Sequence, residues 1–145
     1  MFASVDEPPP APTWVQDAAQ QLPQRPANKG PTLGRLFGRD GHELIDAPIW
    51  SGENPRTVAD LHPTLRNWVS PLGHVESHAA AMIRRGEVPK DAVLVINNRP
   101  CAGIRGCDRL LSAMLPKGSR LTVYVTDGQR TWLHRAYDGT GEGIK

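Results

Sequence analysis

The run Ala92-Val93-Leu94-Val95-Ile96 leaves the chain few ways to fold. It is apolar at every position, so it has no polar side to turn toward water. A strand of this kind belongs at the centre of a sheet covered on both faces. The expected fold class is therefore α/β, a sheet layered with helices. At 145 residues the chain holds one domain of this type and is too short for two of ordinary size.

Elements on either side of that strand follow from local signals. Thr32–Phe37 and Glu43–Ile49 read as strands around the turn Arg39-Asp40-Gly41. Residues 56–68 have helical composition, interrupted by Pro63. Glu76–Arg85 is an Ala-rich helix with Gly86 as its stop. Asp108–Leu115 is a short helix ended by Pro116; Leu121–Val125 and Arg130–Tyr137 are strands. The resulting order is β-β-α-α-β-α-β-β.

The start of the chain differs in composition. Six of the 14 prolines fall within the first 26 residues, and proline fixes φ and bars the preceding residue from helix. Residues 1–29 are expected to be a Pro-rich leader or linker, with a short helix from Trp14 to about Leu22, and residues 30–145 the functional domain. Residues 1–28 carry Arg25 against Asp6, Glu7 and Asp17, so the rest of the chain is more basic than its overall +2. A mildly basic body suits a phosphate-bearing partner. No apolar run approaches the roughly 18 residues of a membrane span, and the start lacks a basic-then-apolar signal pattern. No membrane partner is expected, and a single small domain is expected to be a monomer.

Two segments carry chemistry. The first is Gly73-His74-Val75-Glu76; the second is Arg99-Pro100-Cys101, followed five residues later by Cys107. Each stands at the start of a helix, and the second follows the most apolar strand, where α/β proteins build their sites. One imidazole and two thiolates form a three-ligand set that leaves a catalytic Zn2+ one position for water. A carboxylate two residues from the His ligand can move the proton of that water, provided it stays off the metal. His-x-Glu with Pro-Cys-x-x-Cys is a known pattern of zinc base deaminases. Here the gap between the cysteines is wider, Ala102-Gly103-Ile104-Arg105-Gly106, with two glycines that let the loop fold back. A disulfide between the cysteines, or His78 as an alternative ligand one helical turn after His74, are the competing readings.

Gly73-His74-Val75-Glu76, the Ala-rich helix, Ile96-Asn97-Asn98-Arg99-Pro100-Cys101, Gly106-Cys107 and Leu115-Pro116-Lys117-Gly118-Ser119-Arg120-Leu121-Thr122-Val123 together resemble the DddA-like deaminase toxins of bacterial polymorphic toxin systems. The similarity covers about residues 30–137. It implies a cytidine deaminase-like fold, a five-stranded mixed β-sheet flanked by helices. It implies His74, Cys101 and Cys107 as zinc ligands and Glu76 as the catalytic proton shuttle. It implies conversion of cytosine to uracil in DNA. It also implies secretion as part of a larger toxin that acts in the cytoplasm of a target cell, and a cognate immunity protein.

Substrate contacts are expected from Asn97 and Asn98, where the central strand opens toward the metal, from Ser51 and Trp50, and from Arg105. Single-stranded DNA is favoured over double-stranded, because a duplex requires flipping the base and no aromatic wedge or basic arm is evident. A duplex-specific deaminase and a non-catalytic zinc-binding interaction module are the alternatives; a structural zinc would need a fourth protein ligand.

Overall fold

Strand β3 (Asp91–Ile96) is buried at every residue after Asp91 and sits in the middle of the sheet. The computed structural model describes residues 11–22, 33–45, 49–50, 61, 75–97, 107–126 and 130–144, with only the backbone of Trp50, Ser77 and residues 107–110. Alternation along β3 divides its side chains between two cores. Ala92, Leu94 and Ile96 join the larger core, and Val93 and Val95 the smaller one on the opposite face.

The neighbours of β3 make the sheet mixed. Strand β1 (Leu33–Gly38) runs antiparallel to it, from Gly34 opposite Ile96 to Gly38 opposite Ala92. Strand β4 (Arg120–Thr126) runs parallel to it, and β5 (Thr131–Asp138) returns antiparallel to β4. A two-residue edge, β2 (Ile49–Trp50), pairs with the start of β1, giving the order β2-β1-β3-β4-β5. The body of the sheet is thus four strands of six to eight residues, with a short edge pairing where a full fifth strand was expected.

The thin edge has a local cause. The turn closes where expected: Asp40 Oδ1 accepts the His42 N–H at 3.0 Å, and the Gly38 N–H reaches the His42 carbonyl at 2.8 Å. Past the turn, Phe37 bridges Glu43. Leu44 and Ile45, although adjacent in sequence, both pack on the larger core. A strand sends successive side chains to opposite faces, so the backbone leaves the ladder here. Residues 46–48 lie outside the described set, as does the helix expected over 56–68 apart from Leu61, which is fully buried and bridges to Ile144.

Helices cover both faces. Helix α1 (Thr13–Gln20) lies on the face of Val93 and Val95. Its Val15, Ala18 and Ala19, with Leu22 just beyond, fall at i, i+3, i+4 and i+7 and pack against Leu33, Phe37, Val93 and Val95. Composition placed these residues in a leader, yet residues 11–22 form one layer of the fold, because that apolar stripe closes a sheet face that would otherwise be wet. Helices α2 (Val75–Arg84) and α3 (Cys107–Met114) share the other face, contributing Val75, Ala79, Ala80 and Ile83, and Leu111 and Met114, to the larger core. Gly86, at φ 72°, ends α2 in a Schellman turn: its N–H reaches the Ile83 carbonyl and that of Glu87 reaches Met82.

Candidate active site

Connectivity sends both α2 and α3 to one end of the sheet. The last turn of α2 leads through a short connection into Asp91 at the start of β3, so its first turn lies toward the far end of that strand. Helix α3 carries the chain from the end of β3 back to the start of the parallel strand β4, so it too begins near the carboxyl end of β3. Their C-terminal turns are joined, since Arg84 Nη1 donates to the Met114 carbonyl at 3.0 Å.

Glu76 is the second residue of α2 and only 2% exposed. Burying a carboxylate costs several kcal/mol unless polar groups compensate, whereas the amides of a helix N-terminus return about 1 kcal/mol. A carboxyl buried at a helix start is a candidate for chemistry. Its neighbour Val75 is fully buried against β1. A Cβ on Gly34 would lie 2.6 Å from Val75 Cγ1 and 3.0 Å from Ile96 Cγ2, so the bare backbone of Gly34 is what lets α2 seat its first turn beside the end of β3. Gly34→Ala is expected to cost about 1–3 kcal/mol by overpacking. It should also slow the reaction at temperatures where both proteins stay folded, because the displaced residue adjoins Glu76. Melting curves and rates measured side by side check this.

Asn97 continues the ladder beyond β3. Its N–H donates to the Leu33 carbonyl at 3.1 Å, and its Oδ1 accepts the Leu33 N–H at 2.9 Å. The side-chain oxygen is thus used to close the sheet. Leu33 also pairs with Trp50, which places the Trp50 backbone, Leu33 and Asn97 in one row across the sheet at the site end. At the opposite end the strand termini are charge-paired, Arg39 with Asp91 and Arg120 with Asp138, each at 3.4 Å.

The other expected site residues are located as follows. Cys107 opens α3, with only its backbone described. His74 immediately precedes α2 in sequence and lies outside the described residues, as do Cys101, Asn98, Ser51 and Arg105. Among the described residues no three His, Cys, Asp or Glu side chains gather as a metal group. The fit to a metal therefore rests on donor chemistry: one imidazole and two thiols suit Zn2+, and the two helices that begin at or beside His74 and Cys107 start at the same end of the sheet. Sequence reasoning missed Gly34 and Arg84. An isolated glycine within a strand pattern signals close approach. Arg84 carries no local signal beyond the cation that suits a helix C-terminus.

An α/β sheet with a buried glutamate at the start of a helix, beside the carboxyl end of its central strand, is the framework of a hydrolytic deaminase. The family model for SCP1.201-like deaminases matches residues 7–142, and the chain belongs to that family. The match begins before α1, in keeping with the packing of that helix on the sheet. No curated protein matches the chain.

Proposed function

We propose that the protein hydrolyses cytosine to uracil in DNA, with Zn2+ held by His74, Cys101 and Cys107 and Glu76 as the proton shuttle. The observation that carries this reading is the burial of Glu76 in the first turn of α2, at the end of the sheet where α3 begins with Cys107.

Zn2+ held by His74, Cys101 and Cys107 would supply a water that ionises near neutrality, with a pKa of roughly 7. Glu76 would accept a proton from the attacking water and deliver it to the ring nitrogen as the oxygen adds to the carbon bearing the amine. A second transfer through Glu76 lets the amine leave as ammonia, so one water is consumed and one ammonia released. The low exposure of Glu76 keeps bulk water from competing for that proton.

DNA as substrate is supported by the resemblance to DddA-like deaminase toxins and by the mildly basic body of the chain. Single strands are favoured because the target base is already unstacked, whereas a duplex adds a flipping cost of a few kcal/mol. The same resemblance supports delivery within a larger toxin to the cytoplasm of a target cell and restraint by a cognate immunity protein; the size of the single domain and the lack of a long apolar run support action as a monomer without a membrane partner.

Labelled single- and double-stranded oligonucleotides, treated with the protein and then with uracil excision, test the substrate. Cleavage at cytosines is expected, stronger in single strands; uracil in neither would overturn the DNA assignment. Chelation should abolish the activity and added Zn2+ restore it, with metal analysis giving about one Zn2+ per chain for a three-ligand catalytic site.

A further inference from the structure

We propose that the segment Gly139–Ile144, together with Arg84, is a positioning clamp that holds helix α3, and through it Cys107, in place for the metal. This rests on the reading of Cys107 as a zinc ligand.

Helix α3 has eight residues, well short of the roughly 12–15 that an isolated helix needs in water. It therefore depends on its surroundings, above all at its C-terminus, where a helix leaves its last carbonyls without partners of its own. Here every one of those carbonyls is met from outside the helix. Ser112 accepts from the Thr140 N–H, Ala113 from Gly143 and Leu115 from Gly141, each at 2.9 Å. Met114, the remaining one, accepts from Arg84 Nη1 at 3.0 Å. Three of the four donors belong to the C-terminal segment and the fourth to the last turn of α2.

The segment is itself fixed. The Gly139 N–H donates to the Ser119 carbonyl at 2.9 Å, and Ile144 bridges Leu61 and packs on the larger core. Gly139 lies so close to the end of α3 that an added Cβ would meet the Pro116 and Leu115 carbonyls and Ser119 Oγ. No side chain fits there without moving the segment away from the helix.

Leverage makes the clamp matter at the other end. Eight residues at 1.5 Å each span roughly 12 Å, so a tilt of about 5° at the C-terminus moves the first residue by about 1 Å. Metal–sulfur distances tolerate only about 0.2 Å. Because Arg84 ends the helix whose second residue is Glu76, its bond to Met114 also fixes α2 against α3. The clamp thereby sets the spacing between the glutamate and Cys107.

The test uses the full chain and Co2+ in place of Zn2+, following the thiolate-to-cobalt absorption during titration. Gly139→Ala and Arg84→Gln are expected to weaken metal affinity about ten-fold or more, the usual cost of losing support around a metal ligand. Arg84→Lys, which keeps a charged donor of longer reach than the glutamine amide, should recover most of it. Val15→Ala destabilises from the opposite face of the sheet and should leave affinity unchanged. Equal affinity in wild type, Arg84→Gln and Gly139→Ala overturns the clamp. Arg84→Gln leaves every backbone contact in place and decides the matter alone if Gly139→Ala fails to fold. Absence of the thiolate band in the wild type would instead remove the zinc reading beneath it.

Discussion

Glu76→Gln is expected to slow deamination by about 10²–10⁴-fold, the usual worth of a positioned general acid–base group. In barrier terms that is about 3–5 kcal/mol. The amide keeps the size of the side chain, so the first turn of α2 can still seat on Gly34. It loses a favourable charge at a helix N-terminus, worth about 0.3–1 kcal/mol, and escapes the cost of burying a carboxylate. These effects oppose each other and the relief of carboxylate burial is the larger, so the melting temperature should not fall while the rate collapses. Single-turnover conversion of a cytosine-containing oligonucleotide, with zinc content and a thermal melt on the same samples, separates the two. A glutamine variant that keeps the wild-type rate would remove Glu76 from the mechanism; one that loses its zinc along with its rate would make the residue a ligand.

The elements legible in the sequence were those whose local pattern and tertiary role agree. Strand β3 was legible because a strand covered on both faces has no polar side. Helix α2 was legible because an Ala-rich segment ended at Gly86, and α3 because it stopped at Pro116; both lie within a residue of their expected bounds. The edge β2 was not legible in its true extent, since Leu44 and Ile45 are good strand residues and only the core decides that both point inward. Helix α1 was legible as a helix, expected from Trp14 to about Leu22 and found at Thr13–Gln20, but the surrounding prolines assigned it to a leader and hid that its stripe of Val15, Ala18, Ala19 and Leu22 closes a sheet face.

For the site, residue types and spacing pointed to Glu76, and chain connectivity explains why α2 and α3 begin at the same end of the sheet. The supports of the site were not legible. Gly34 matters only because Val75 descends on it, and Gly139 only because α3 ends beneath it. Both are contacts between segments distant in sequence, which no local pattern encodes. Asn97 shows the converse, a polar residue at a strand end whose side-chain oxygen completes the backbone pairing of the sheet.

Removing α1 should be nearly as damaging as removing the glutamate. A chain beginning at residue 30, the boundary that composition alone suggests, would expose Leu33, Phe37, Val93 and Val95, which are now buried beneath the helix. Burial of such a side chain is worth about 1.5–3 kcal/mol, so four of them amount to roughly 6–12 kcal/mol as an upper bound. The whole stability of a domain is about 5–15 kcal/mol. The edge contact of Trp14 on Phe37, with centroids 5.4 Å apart, would also go, as would the 2.6 Å bond from Arg35 Nη1 to Gln21 Oε1. The shortened chain is expected to melt far below the full one or to aggregate through its bared sheet face, seen as loss of a cooperative circular dichroism transition and as binding of a hydrophobic dye. A passive leader would behave otherwise: its removal would leave both the melt and the deamination rate where they were. Val15→Ala gives the graded version, because truncating one fully buried residue of the stripe should lower stability by a fraction of that loss and leave the chemistry on the far face unchanged.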